Sequence, residues 1–243
     1  MNNHRINTIY DYKDADGNLL FQVVRFEPKG FAQRRPHKDS FIWGLGEVEP
    51  VLYRLPEVIQ GLQDCETVFI CEGEKDADNL AALGFIATSC PMGAGKWQAA
   101  YTEALHGCCE AVIVADKDEP GRLHAQAVAG SLCAAGILVK VIELPDIDEV
   151  PVKDVSDWLK AGGTPAAFLE ILKQCPHWSP SSKEADASVT ADLQNLISQY
   201  GDPYYLSKDG AVTAINQSFW ASLHQAEHIQ LFEPDEREFY RYD

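Results

Sequence analysis

The distribution of apolar residues predicts two kinds of structure in succession. Ile9–Tyr12 and Leu19–Phe26 flank Asp14-Ala15-Asp16-Gly17-Asn18, whose Asp, Gly and Asn residues carry the chemistry of a hairpin turn. A second excursion runs through Phe31, Arg34, Arg35 and Pro36 to Phe41-Ile42-Trp43-Gly44, so the opening reads as β-rich. Val51–Ile59 leads out of it, with Pro56 placed as a helix start. From Thr67 the texture changes to alternating strand and helix. Val68–Cys71, Ile86–Thr88, Ala111–Ala115 and Val139–Leu144 are short apolar runs of the kind buried parallel strands need. Helical patterns over Lys75–Leu83, Trp97–Leu105 and Arg122–Ala135 separate them, the first and last stopped by Gly84 and Gly136. Strands alternating with helices predict an α/β domain with a parallel sheet flanked by helices.

These textures divide the chain into a β-rich N-terminal subdomain at 1–65 and an α/β domain at 66–175. A Pro- and Ser-rich linker follows at 176–190, then a small acidic α+β tail at 191–243. In the tail a helix is predicted over Ala191–Gln199, a hairpin around Ser207-Lys208-Asp209-Gly210, and a last strand pair at Ile229–Phe232 and Phe239–Tyr242. About fifty residues is small for an independent domain, and the tail reads as the opening of a truncated downstream region.

Composition narrows the class. The chain has 243 residues, 46% of them hydrophobic and 23% charged, which excludes a wholly disordered or fibrous protein. No run approaches the roughly 20 apolar residues of a membrane helix, and the polar start, Met1–Tyr12, is not a secretory signal. Seven cysteines, odd in number and without a CxxC pair, argue against a disulfide framework and a zinc ribbon; the chain reads as reduced and cytoplasmic. Net charge is −17, the opposite of a nucleic-acid coat. Residues 1–60 are balanced, whereas 61–175 carry −10 and 176–243 carry −7. Such carboxylates are either dispersed for solubility or collected for metal.

They are collected. Glu72 follows the first α/β strand, in Glu72-Gly73-Glu74-Lys75-Asp76. Asp116 and Asp118 follow the third, in Ala115-Asp116-Lys117-Asp118-Glu119-Pro120-Gly121-Arg122, and Asp154 and Asp157 come after the fourth. Ligands of open parallel sheets bind at the carboxyl ends of strands. Two like charges 4 Å apart cost about 4 kcal/mol at an effective dielectric near 20, so acids gathered there call for a counter-ion such as Mg²⁺. For any single aspartate, helix capping is the plain alternative.

Gly93-Ala94-Gly95-Lys96-Trp97 looks like the end of a P-loop. Cys90 and Trp97 stand where that motif needs Gly and Ser or Thr, so the P-loop is rejected. Either the loop lets backbone approach a phosphate with Lys96 nearby, or it is a plain strand-to-helix turn. The basic residues Arg25, Lys29, Arg34, Arg35 and Lys38 are interleaved with Phe26, Phe31 and Phe41, a pattern suited to phosphate contact and base stacking or to a solvated β face. Trp43 and Trp97 read as core, and the histidines have no metal spacing.

The Glu-Gly-x-x-Asp segment at Glu72–Asp76, followed by Asp-x-Asp-x-x-Gly-Arg at Asp116–Arg122, resembles the TOPRIM domain of bacterial-type primases, topoisomerases and some nucleases. The resemblance covers residues 66–173. Residues 8–60, with Val51-Leu52-Tyr53-Arg54-Leu55-Pro56, are similar to the region before TOPRIM in phage and plasmid primase-helicase proteins, and Lys153-Asp154-Val155-Ser156-Asp157-Trp158-Leu159 is typical of the same group. The resemblance implies a TOPRIM-like catalytic domain in a DNA primase core or fragment that makes RNA primers for phage or plasmid replication. It implies Glu72 as acid/base and Asp116 and Asp118 as the metal pair, all three catalytic, with Asp76, Asp154 and Asp157 as supporting metal acids. Lys75, Gly93, Gly95, Lys96, Lys117 and Arg122 are the implied nucleotide and phosphate contacts. Arg25, Lys29, Arg34, Arg35 and Lys38 are the implied DNA track. Cofactor and partners follow from it: Mg²⁺ or Mn²⁺, single-stranded DNA template, nucleoside triphosphates and a helicase, with no zinc and no membrane. The departures are the missing N-terminal zinc module and the missing Walker A segment. A TOPRIM nuclease and a binding module with an inactive site are the alternatives, since polymerisation and hydrolysis use the same acids.

Overall fold

The computed structural model describes residues 5–180, 204–206, 212–216, 232–233 and 238–239. Two compact units divide the chain, Met1–Ser179 and Pro180–Asp243.

The first unit opens with an antiparallel meander of β1 (Arg5–Lys13), β2 (Leu19–Glu27), β3 (Gly30–His37) and β4 (Ser40–Trp43), in that spatial order. Asp14 closes the first turn, its carboxylate accepting the Asp16 and Asn18 N–H groups. Gly17 supplies the left-handed residue there, at φ 85°. Side chains alternate across a strand, so Tyr10, Tyr12, Phe21 and Val23 share one face, and all four are buried.

The remaining elements are α1 (Leu55–Gln63), β5 (Val68–Cys71), α2 (Glu74–Ala82), β6 (Ile86–Thr88), α3 (Ala99–Ala104), β7 (Glu110–Val114), α4 (Glu119–Ala134), β8 (Leu138–Ile142), α5 (Val155–Lys160) and α6 (Pro165–Gln174). The strands form a parallel sheet in the order β6-β5-β7-β8. Every residue of β5 is buried, because both faces of the sheet are covered. Phe69 and Cys71 pack with Ala77 and Leu80 of α2, Trp158 of α5, Phe168 of α6 and the tyrosine face of the meander. Val68 and Ile70 pack with Leu55 and Val58 of α1, Tyr101 of α3, and Val128 and Leu132 of α4. The meander and the parallel sheet thus share a core.

Strand order places the site. The chain steps from β5 to β6 on one side, then crosses to β7 on the other. A reversal of this kind opens a crevice outside the carboxyl ends of the two central strands, here β5 and β7.

The elements agree with the pattern of apolar residues to within a few positions, and α5 and α6 are additions. One expectation is corrected: Cys65 and Cys109 form a disulfide, Cα atoms 5.7 Å apart, between the loop after α1 and the start of β7. Their separation of 44 residues offers no local spacing to read; the other five cysteines are free.

In the second unit, β9 (Tyr204–Leu206) pairs antiparallel with β10 (Val212–Ile215), and β11 (Phe232–Glu233) with β12 (Glu238–Phe239). β9 and β10 flank the turn expected at Ser207–Gly210, whereas β11 and β12 overlap the expected last strand pair only at Phe232 and Phe239. The helix expected at 191–199 lies outside the described residues, as does most of the linker. No helix among the described residues is long and apolar enough to cross a membrane.

Candidate active site

Glu72 leaves β5 directly and Asp116 lies two residues past β7. Register pairs Cys71 with Val114, so both acids emerge at the same edge of neighbouring strands. Asp118 caps α4: its Oδ1 accepts the Gly121 N–H at 2.9 Å. Only glycine fits at 121, since a β-carbon there would lie 2.7 Å from both Cβ and the carbonyl oxygen of Asp116. Capping and charge presentation therefore coexist in Asp118, one oxygen serving each.

The supporting acids divide. Asp76 accepts from the Ser156 N–H at 2.8 Å and Oγ at 2.6 Å, which fastens α2 to α5. Asp154 caps α5 through the Asp157 N–H at 2.7 Å. Asp157 pairs with Lys160 at 3.0 Å along the helix. Burial, followed by the charges of Glu72, Asp76 and Asp154, pushes the Asp116 carboxyl up to about 7. Burial and then Asp118 raise Glu72. Asp118 goes the other way, held low by Lys153 and the Gly121 N–H.

The donor chemistry fits a divalent cation. All donors are hard carboxylate oxygens; burial first and neighbouring carboxylates second raise Glu72 and Asp116, and Glu72 Oε2 is buried with no hydrogen-bond partner. Among the described residues, however, no three His, Cys, Asp or Glu side chains are already arranged around one ion position. The expectation of an assembled Glu72–Asp116–Asp118 cluster is corrected accordingly. Lys153, which sequence reasoning passed over, has its Nζ 2.9 Å from Asp118 Oδ2 and 3.8 Å from Asp116 Oδ2. The signal was its place beside Asp154; the missing information was the Lys117 N–H to Lys153 carbonyl bond at 2.9 Å that draws the two loops together.

The glycine loop lies beside Glu72. Met92, Gly93 and Gly95 take positive φ, and a β-carbon on Gly93 would be 3.8 Å from the Glu72 carbonyl oxygen. The Gly95 N–H donates to Nδ1 of the buried His124 at 3.2 Å, whose burial keeps its pKa low. Lys96 is exposed. Two other expected phosphate contacts are engaged elsewhere, Lys117 with Asp146 and Arg122 with Glu143, each at 2.6 Å. Lys75 lines a cleft of about 410 Å³ with Arg25, Tyr10, Asp78 and Asn79.

Strand alternation splits the basic cluster. Arg25 and Arg35 belong to the tyrosine face, Arg25 over Phe31 at 5.8 Å and Arg35 donating to the Gly44 carbonyl at 2.8 Å. Arg34 is on the outer face, donating to Gln22 at 2.7 Å and lying over Phe41 at 4.2 Å and Trp43 at 5.7 Å. Trp43 is corrected from core to surface: it is 55% exposed on the edge strand β4. Trp97 packs against the core as expected. Lys29, in the β2–β3 turn, is close enough for its charge to lower Glu72. Lys38 is in the β3–β4 turn at φ 51°, at the other end of β3.

No protein-family model matches the chain, and no curated protein does. Solved structures do. The primase fragment of the bacteriophage T7 primase-helicase protein is 26% identical, with a TM-score of 0.50 over 68% of this chain and 60% of that one. The zinc-binding and RNA polymerase domains of Aquifex aeolicus primase are 15% identical, with a TM-score of 0.56 over 91% of this chain and 51% of that one. A DnaG primase catalytic domain bound to single-stranded DNA is 20% identical, with a TM-score of 0.52 over 79% of this chain and 63% of that one. The chain spans less than two thirds of each of these structures. The four-stranded parallel sheet flanked by helices, with its antiparallel companion, is the fold of primase catalytic cores.

Proposed function

We propose that the unit Met1–Ser179 is a primase-type nucleotidyltransferase core that builds RNA on a single-stranded DNA template with Mg²⁺ or Mn²⁺. The observation that carries this reading is that Glu72 and the Asp116–Asp118 turn emerge at the same edge of the neighbouring strands β5 and β7, in a fold shared with the T7 primase fragment.

Asp116 and Asp118, with Glu72 beside them, are the residues that would hold the ion, which when bound neutralises triphosphate charge and acidifies the attacking hydroxyl. Glu72 has a raised carboxyl and is suited to accept the proton of the primer 3′-hydroxyl. That oxygen bonds to the α-phosphorus of the incoming nucleotide, the α–β bridging bond breaks, and pyrophosphate leaves. Asp76 and Asp154 hold α5 against the rim and add negative charge there. Lys96 and the N–H groups of Gly93 and Ala94 would contact phosphate, the Gly95 N–H being taken by His124. Lys29 is the basic residue of the meander whose charge reaches Glu72. The outer Arg34–Phe41–Trp43 group is a surface on which bases could stack. Support for a DNA template comes from the DnaG domain, solved with single-stranded DNA; support for a helicase partner comes from the primase-helicase origin of the T7 fragment.

The test combines single-stranded DNA, labelled ribonucleotides and Mn²⁺. Labelled oligonucleotides that vanish in Glu72→Gln and Asp116→Asn are expected. Shortened DNA would instead identify a nuclease, and neither product a binding module.

A further inference from the structure

The rim already contains a cation of its own. Lys153 Nζ stands between the two carboxylates read above as the metal pair, at 2.9 Å from Asp118 and 3.8 Å from Asp116. Backbone places it there: the Lys117 N–H donates to the Lys153 carbonyl, and the next residue, Asp154, caps α5. The ammonium is therefore delivered to Asp116 and Asp118 by the same contact that joins their loop to α5. Glu72 is the third carboxylate whose charge acts on it.

We propose that Lys153 is the resident counter-ion of the Asp116–Asp118 pair and competes with the divalent cation for it, so that Lys153 sets the metal affinity of the site. The inference rests on the metal-dependent reading above. Mg²⁺ shared by both aspartates would lie about 2.1 Å from an oxygen of each, within the space the ammonium fills, so the two occupancies exclude each other. The exchange is physically open. Asp116 is only 13% exposed, whereas the Lys153 side chain is 52% exposed, on a flexible four-carbon stem that can turn into solvent. Without metal, Lys153 relieves repulsion among Glu72, Asp116 and Asp118. The absence of a ready three-carboxylate cage among the described residues is then the expected state of a rim closed on its own lysine.

The experiment measures Mn²⁺ binding by electron paramagnetic resonance at pH 8 and low salt, for the parent, Lys153→Met, Lys153→Arg and Lys173→Met. Lys173 pairs with Glu170 on α6 and controls for net charge. Lys153→Met is expected to bind Mn²⁺ about fivefold more tightly, the scale of a partly exposed ion pair that no longer has to be broken. Lys153→Arg and Lys173→Met should stay within about twofold of the parent, the spread of an exposed charge change. The metal-free Lys153→Met protein should melt about 2–4 °C lower, and Mn²⁺ should restore it. If the parent binds Mn²⁺ at a site lost in Asp116→Asn, but Lys153→Met binds no more tightly than Lys173→Met, the competition is overturned and the metal site stands. If neither the parent nor Lys153→Met binds Mn²⁺ at that site, both readings fall.

Discussion

At the scale of single residues, Asp116 is where burial and charge act together. Its carboxyl is pushed from 3.8 up to about 7, so between roughly pH 4 and 7 the folded chain holds a proton that the unfolded chain has released. Where the folded state binds more protons, stability falls as pH rises. The metal-free protein is expected to lose melting temperature through this group from pH 5 to 8, and Asp116→Asn to lose less. Calorimetry across that range checks it, and parallel pH slopes for the two proteins would show that Asp116 does not titrate there. The same ionisation is needed to hold a cation, so Mn²⁺ binding should climb through pH 7. Glu72 and Asp116 stand out in the sequence because each directly follows an apolar strand run, and Asp118 because it lies two residues beyond Asp116. Asp157 could not be separated from Asp154, since the two are three residues apart and only the cap geometry of α5 turns one toward the rim and the other toward Lys160. Lys153 depends on a backbone bond between distant loops, which no local spacing encodes.

At the scale of elements, the start of α4 is set by how closely it approaches the Asp116 turn. Gly121→Ala would put a β-carbon 2.7 Å from backbone and Cβ of Asp116, neither of which can move without shifting β7. Overpacking of this kind costs about 1–3 kcal/mol. The variant should therefore melt lower and also bind Mn²⁺ more weakly, because relief of the clash displaces Asp116 or the Asp118 cap. A drop in stability with unchanged Mn²⁺ affinity would show that the helix moves and the carboxylates do not. Legibility follows the same logic. The buried strands β5 and β7 read clearly because both faces are apolar. The basic run read as one patch because its residues are close in sequence, whereas alternation along β2 and β3 sends Arg25 and Arg35 to one face and Arg34 to the other. Trp43 was misplaced for a related reason: its hydrophobicity reads as core, but β4 is an edge strand, exposed at every position.

At the scale of the whole molecule, a chain of net charge −17 can hold DNA only where its acidic field is locally reversed. On the function proposed above the meander is that place, and strand alternation narrows it. Arg35 is tied to the Gly44 carbonyl, so changing it would disturb the strand pairing itself. Arg34 and Trp43 are together on the outer face, with the guanidinium 5.7 Å from the indole ring, a ready phosphate and stacking contact. Few phosphate contacts mean weak binding: affinity for single-stranded DNA should be no tighter than about micromolar near physiological salt, as for non-specific binders. The double variant Arg34→Glu, Trp43→Ala is expected to lose most of that affinity, and its salt dependence should flatten by about 0.7 per phosphate contact removed. Fluorescence anisotropy over a salt series measures both. Mn²⁺ binding should persist in the variant, since neither residue is part of the Glu72–Asp116–Asp118 rim. Undiminished DNA binding would reject the outer face as the track. The next candidates would then be Arg25 and Lys29, the latter already acting on Glu72 through its charge, and Arg25→Glu with Lys29→Glu should abolish what the Arg34→Glu, Trp43→Ala variant had spared.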